Sequence, residues 1–380
     1  MTLTAADAPV VVAALRTPIG TAGRALRDVT AADLAAPVLA ALAGSLDGLL
    51  PHDVVLGNCT GPGGDVARVA SLAAGLPVAV PALTVDRQCG SGLAAIDVAT
   101  ALVRARPGLV LAGGVESAST APWRFRPPAD GADPVRYTRA PFAPATLGDP
   151  DMGVAADQLA AKYGVTRERQ DAYSARSHAR AAAAWEAGTF GAEVLPVAGL
   201  ARDERVRAGL TVERLARLRP AFVDGGTVTA GNACGVNDGA AAVAIVDAAT
   251  HAELGLPGLR VLATATAGVD PQLPGLGLVP AVRAALDEAG LTLDDVDAVE
   301  LNEAFAGQVL ACCDDLGLDE ERVCPDGGAL ALGHPWGASG AVLAVRLFSR
   351  LVHQDRGEIG LAGIAVGGGQ GVAMVVQACR

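Results

Sequence analysis

What this 380-residue chain lacks bounds it before any motif does. Net positive charge is missing: the formal balance is −12, so the surface as a whole repels nucleic acid and anionic membrane, and neither is expected as a partner. A disulfide framework is missing too. The 7 cysteines form no Cys-x-x-Cys pair, which in a chain of this size points to a reducing compartment, and we expect a cytoplasmic protein. The opening segment, MTLTAADAPVVVAALRTPIG, has no basic leader region and its apolar run is too short to span a bilayer, so it reads as a strand. Charged residues make up only 18% and aromatics 3%, while hydrophobic residues reach 51%, a balance that suits tightly packed α/β layers better than disorder. The length allows two ordinary domains with ample burial.

Comparison of the chain with itself is the most informative step. APVLAALAGSLDGLLPHDVVLGN reads as amphipathic helix, turn and apolar strand ending on Asn58. AVRAALDEAGLTLDDVDAVELNEAF repeats that order and ends on Asn302 and its neighbours. Roughly thirty residues after each asparagine the chain reaches Cys89 ahead of Gly-Ser-Gly, or His334 ahead of GASG, each opening an apolar helix that a further strand follows. Strands alternating with helices predict βαβ units and a mostly parallel sheet covered on both faces. The fold class read here is α/β with duplicated halves: residues 1–116 with 237–250, and residues 251–380. Between them lies 117–236, with most of the aromatics and the Pro-rich PWRFRPPADGADPVR, read as an inserted loop domain that covers the site.

Duplication has a chemical consequence. Cys89 and His334 occupy equivalent places before helix N-termini, so a pseudo-twofold axis brings them together at the carboxyl edges of the central strands. A thiol there meets the positive end of a helix dipole and unpartnered backbone N–H groups, which favour a thiolate. The glycines beside it let a carbonyl approach the backbone, where the Cys89 amide can donate to a developing oxyanion. Cys312, Cys313, Cys324 and His334 match no ordinary tetrahedral spacing, so no metal is expected.

VDRQCGSG, TVTAGNACGVNDGAAA, LNEAFA, GGALALGHPWGASG and GGGQGVAM together resemble the thiolase family, in order and across nearly the whole chain. The resemblance implies a thiolase-like fold with mixed five-stranded sheets in an αβαβα layered core, acyl-CoA and CoA as partners, no cofactor, and Claisen chemistry on 3-ketoacyl-CoA through an acyl-cysteine. It implies that Cys89 is the acylated nucleophile and that His334 activates it and helps bind the second thioester oxygen. Asn302 would fix a water in that second oxyanion site, Glu303 would support the network, and Gly367 would join the Cys89 N–H around the first acyl oxygen. Met152, Phe222, Cys234, Ala304 and Phe305 would line the substrate tunnel, with Arg207 a candidate for the CoA phosphates on a helix within RVRAGLTVERLARLRP. A homodimer or homotetramer is implied, and a heteromeric partner stays open.

One departure weakens the likeness. The family's second catalytic cysteine, in Cys-x-Gly, aligns with Ala365 in GIAVGGGQG. Losing a positioned proton carrier forfeits ~10²–10⁴ in rate. Four readings follow: another group such as Cys234 takes the role; decarboxylation replaces proton removal, as in ketoacyl synthases with a Cys-His-Asn set; acyl transfer proceeds without carbon–carbon bond formation; or the chain is a non-catalytic CoA-binding subunit. Asp151 before Met152, and Trp336 beside His334, are further departures that reshape the pocket.

Overall fold

The computed structural model describes residues 7–46, 48–128 and 131–379; the first six residues of the opening segment lie outside them. The strands are β1 (Val10–Arg16), β2 (Gly20–Thr21), β3 (Pro51–Gly57), β4 (Ala82–Val85), β5 (Leu109–Ser117), β6 (Arg124–Arg126), β7 (Val135–Tyr137), β8 (Asn237–Val246), β9 (Gly258–Gly268), β10 (Ala298–Leu301), β11 (Ile359–Val366) and β12 (Gln370–Cys379). Ten belong to one mixed sheet, in the order β10-β11-β12-β9-β1-β8-β5-β3-β4, with β2 beside β8. The first half supplies the run β1-β8-β5-β3-β4, and the second supplies β10-β11-β12-β9. At the fifth position of the second half a single parallel bridge, Val299 to Val323, stands in for a strand. The halves join where β1 meets β9 through Val10↔Arg260 and Val11↔Leu259.

Alternation along the strands builds the layers. In β8, Ala241, Val243 and Ile245 enter the central core, whereas Ala240, Ala242, Ala244 and Val246 face the outer core of the first half. In β11, Ala362 and Ile364 face the central core and Leu361 the outer core of the second half. Successive side chains point to opposite faces, so a strand covered on both sides reads as one apolar run. Two helices fill the middle, Ser91–Ala105 and Trp336–Phe348, and the second is buried from Gly337 to Phe348. Outer helices Ala31–Gly44 and Leu278–Ala289 carry buried Leu34, Leu39 and Leu42, or Val282, Ala285 and Leu286, and close the stack.

Strand register makes the duplication exact at named positions. β3 pairs Gly57 with Gly114 just before Asn58, and β10 pairs Leu301 with Gly363 just before Asn302. Leu56 therefore corresponds to Glu300, and Glu116 to Ala365. Among its described residues the segment 118–236 contributes no strand to this sheet; it holds the antiparallel pair β6–β7 and the helices Met152–Lys162, Arg167–Glu186 and Val212–Leu215.

Candidate active site

Cys89 stands one residue before the Gly90 cap of helix Ser91–Ala105. The turn that presents it is held tightly: the Arg87 N–H donates to Ser91 Oγ (2.8 Å), and Ser91 Oγ donates to the Gln88 carbonyl (2.6 Å). Gln88 adopts φ 44°, an uncommon value for a residue with a side chain, and its N–H is fixed by Asp86 Oδ1 at 2.8 Å. The backbone N–H groups of Cys89 and Gly367 act on the Cys89 thiol in the direction that favours the thiolate. Sequence reasoning predicted a thiolate favoured by these donors. The structure corrects it: burial, reinforced by the fields of Cys234 and Glu116, outweighs both N–H groups and pushes the thiol up to about 12. Cys89 is half-buried and opens into a cavity.

His334 comes from the other half, ahead of helix Trp336–Phe348. Its N–H donates to Asn237 Oδ1 (2.9 Å), and its Nδ1 lies 2.6 Å from Ser339 Oγ, one turn into the helix. Gly333, at φ 120°, lets the Asn237 amide pack against the backbone; a Cβ there would sit 2.8 Å from Asn237 Cγ. Burial lowers the imidazole to about 4, so His334 is neutral at physiological pH. In the tautomer that donates Nδ1–H to Ser339 Oγ, Nε2 is left as a base.

Cys89 and His334 line one cavity of about 610 Å³. Gly367, Met152, Phe222, Cys234, Ala304 and Phe305 line it too, as do Asp151, Trp336 and Ala365. Phe222 and Phe305 meet edge to face at 6.2 Å, and Gly153 leaves room beneath the Phe222 ring. Such an apolar channel with a thiol, a neutral imidazole and backbone donors at one end can carry out acyl transfer to sulfur.

Three of the predicted residues stand elsewhere. Asn302 is buried and lines a separate small chamber that shares no residue with the large cavity. Glu303 is buried as well, and its carboxylate accepts from Tyr173 (3.0 Å), Ser177 (2.7 Å) and the Leu330 N–H (3.1 Å), tying the inserted helix Arg167–Glu186 to the segment ahead of His334. Arg207 is exposed, lies in a loop because the helix of that segment spans only Val212–Leu215, and does not line the cavity. The arginines on the wall are Arg124 and Arg139, which the sequence reading passed over. It also passed over Glu116, whose buried carboxylate accepts from the N–H groups of Cys59 (3.1 Å), Thr60 (3.1 Å) and Gly337 (3.0 Å), joining the rim near Cys89 to the start of the His334 helix. Its signal was only its place after the strand GLVLAGGVES. Among the described residues no group of three His, Cys, Asp or Glu side chains is arranged to hold a metal, and no helix is long and apolar enough to cross a membrane.

Comparison with known proteins gives concordant matches. Residues 9–249 match the family description "Thiolase, N-terminal domain" and residues 257–378 match "Thiolase, C-terminal domain". The chain is 43% identical to an acetyl-CoA acetyltransferase of Pseudomonas aeruginosa, over 97% of this chain and 98% of that protein. Human mitochondrial 3-ketoacyl-CoA thiolase, solved in complex with CoA, superposes with a TM-score of 0.92 at 35% identity over 100% of both chains. An acetyl-CoA acetyltransferase structure from Bacillus anthracis gives a TM-score of 0.90 at 38% identity over 98% of this chain and 99% of that one.

Proposed function

The chain belongs to the thiolase family and is a thiolase-type acyl-CoA acyltransferase, and from that premise we propose a ping-pong reaction centred on Cys89. What carries this reading is the meeting of Cys89, Gly367 and His334 on the wall of one cavity. Free Cys89 holds its proton, and neutral His334 does not hold one on Nε2, so proton transfer from sulfur to Nε2 accompanies attack on the thioester carbonyl. The N–H groups of Cys89 and Gly367 receive the oxyanion. Collapse expels the CoA sulfur, which takes the proton back from His334 and leaves as free thiol. Acyl-Cys89 then meets either CoA, which regenerates an acyl-CoA, or the α-carbanion of a second acyl-CoA, which yields 3-ketoacyl-CoA. Asn302, which the family likeness assigns to the second thioester, lines the small chamber and not the cavity, so on this reading it acts through a water.

Mass spectrometry tests this directly. Incubation with acetyl-CoA is expected to place an acetyl group on the Cys89 peptide, and Cys89→Ala to abolish it. An adduct on another residue, or none on the wild type, overturns the assignment.

We assign Ala365 to the place of the family's second cysteine. Its methyl group lines the cavity and moves no protons, which favours a second reading in which loss of carbon dioxide generates the carbanion. Consumption of malonyl-CoA with release of carbon dioxide in the presence of an acyl donor would support it; no consumption would remove it. On the main reading Cys234, on the same wall and beside Arg205, is our candidate for the missing thiol. We further infer a cytoplasmic homodimer or homotetramer, divided at 117 and 236, that uses acyl-CoA and CoA without metal or cofactor; native mass measurement checks the assembly.

A further inference from the structure

Behind His334 lies the small chamber, lined by Glu300, Asn302, Ser339 and Arg346 among others, with room on the order of one water molecule. Three of these residues each carry a buried polar atom with no partner: Glu300 Oε1, Asn302 Nδ2 and Arg346 Nε. All three side chains are at least nine-tenths buried. Buried polar atoms are almost always satisfied, and three orphans around one void are a binding site for something small and polar.

Pseudo-symmetry shows that the fold itself does not require them. Register equates Glu300 with Leu56, and the matched glycines Gly92 and Gly340 equate Arg346 with Val98. Where the first half is apolar, the second is polar. The asparagines differ as well: Asn58 Nδ2 donates to the Val115 carbonyl (2.9 Å) and to Glu116 (3.3 Å), whereas Asn302 Nδ2 has no such partner.

We propose that this chamber holds one internal water, accepting from Arg346 Nε–H and Asn302 Nδ2–H and donating to Glu300 Oε1, and that Glu300 is thereby a positioning residue for Asn302. A water's two lone pairs meet the two donors and one of its O–H groups meets the acceptor, so each of the three orphan atoms gains a partner. Ser339, which holds His334, lines the same chamber, so both supports of the second thioester site rest on it. Arg346 is itself anchored by Asp326 (2.5 Å) and Glu193, which fixes its Nε. While the Cys324 S–H donates to the Leu301 carbonyl (3.1 Å), burial raises Glu300 to about 8, against the fields of Arg346 and Arg350 and with that of Asp326. It is therefore neutral at physiological pH, and glutamine is its close mimic.

The inference rests on the ping-pong reading, and its test separates the two. In the full-length enzyme, Glu300→Leu is expected to leave the acetylation burst on Cys89 intact while lowering turnover about 10²-fold, since misplacing one catalytic group costs that much. Glu300→Gln is expected to retain turnover at neutral pH and to lose the wild type's change in rate near pH 8. A burst lost in the wild type would sink the reading itself. Wild-type turnover in Glu300→Leu, equal damage from Glu300→Gln, or a dry chamber in an atomic-resolution crystal structure would overturn the role of Glu300.

Discussion

Gly92 and Gly340 face each other across the central layer in reciprocal contact: a Cβ on Gly92 would lie 2.7 Å from the Ala341 nitrogen, and one on Gly340 2.5 Å from the Leu93 nitrogen. The two helices that present Cys89 and His334 thus touch backbone to backbone. Replacing either glycine by alanine gains about 0.5–1 kcal/mol of helix preference but forces the helices apart, which costs about 1–3 kcal/mol. Net destabilisation is expected in the denaturant midpoint. Gly44→Ala, where nothing lies within 4 Å, serves as the contrast and is expected to be neutral or stabilising.

Acid stability depends on buried histidines. His178 and His334 both fall to about 4 on folding, His178 chiefly by burial and then by Arg205 and Arg207. Depressed histidines bind fewer protons folded than unfolded, so their contribution is complete above about 6.5 and is lost as pH falls toward 4. Glu300 acts oppositely, favouring the native state as pH falls from about 8. Removing one histidine isolates its share: the decline of Tm between pH 6.5 and 4 is expected to be shallower in His178→Gln than in the wild type. Parallel curves would refute the assignment.

Slow reaction of the free thiol follows from burial. Cys89, held up to about 12, is expected to be alkylated by iodoacetamide no faster at pH 7 than an ordinary cysteine, despite its helix terminus. His334→Ala is expected to lower turnover by ~10²–10⁴ because the proton then has no acceptor.

Restoring a thiol at the Ala365 position tests the departure from the family pattern. Ala365→Cys is expected to raise acetoacetyl-CoA thiolysis, by up to ~10²–10⁴ if proton movement limits the wild type. An unchanged rate would show that another group already does this work.

A buried ion network clamps the halves to the inserted segment. Arg16 donates to Glu193 (2.8 Å) and Asp203 (2.8 Å), and Arg346 reaches the same Glu193, with all four side chains essentially inaccessible. Glu193→Gln is expected to lower stability in equilibrium unfolding by less than the ~3–5 kcal/mol of a fully broken buried pair, because Arg16 keeps Asp203 and Arg346 keeps Asp326.

The plan of the molecule was legible in the order of residues. Alternating strands and helices, the repeat ending on Asn58 and Asn302, and the Gly-Ser-Gly after Cys89 are local patterns, and local patterns survive in one dimension. They were enough to pair Cys89 with His334, and the family likeness added Met152, Phe222, Cys234, Ala304 and Phe305 to the same wall. Arg207 was read onto a helix, but the helix of that stretch spans only Val212–Leu215 and Arg207 lies in the loop before it, because a short arginine-rich stretch does not reveal where its chain turns.

Other properties belong to no segment of the chain. The high pKa of Cys89 comes from walls supplied by both halves and the insertion, and desolvation is a sum over neighbours distant in sequence. Glu116, Glu193 and Glu300 look like ordinary acidic residues until folding removes their water and leaves each with specific partners or with none. Sequence by itself determined the duplicated α/β order and where the thiol and imidazole stand, since periodicity and helix starts are short-range; tertiary structure alone decided their protonation and what lies behind them, since burial and charge balance are set by the whole fold.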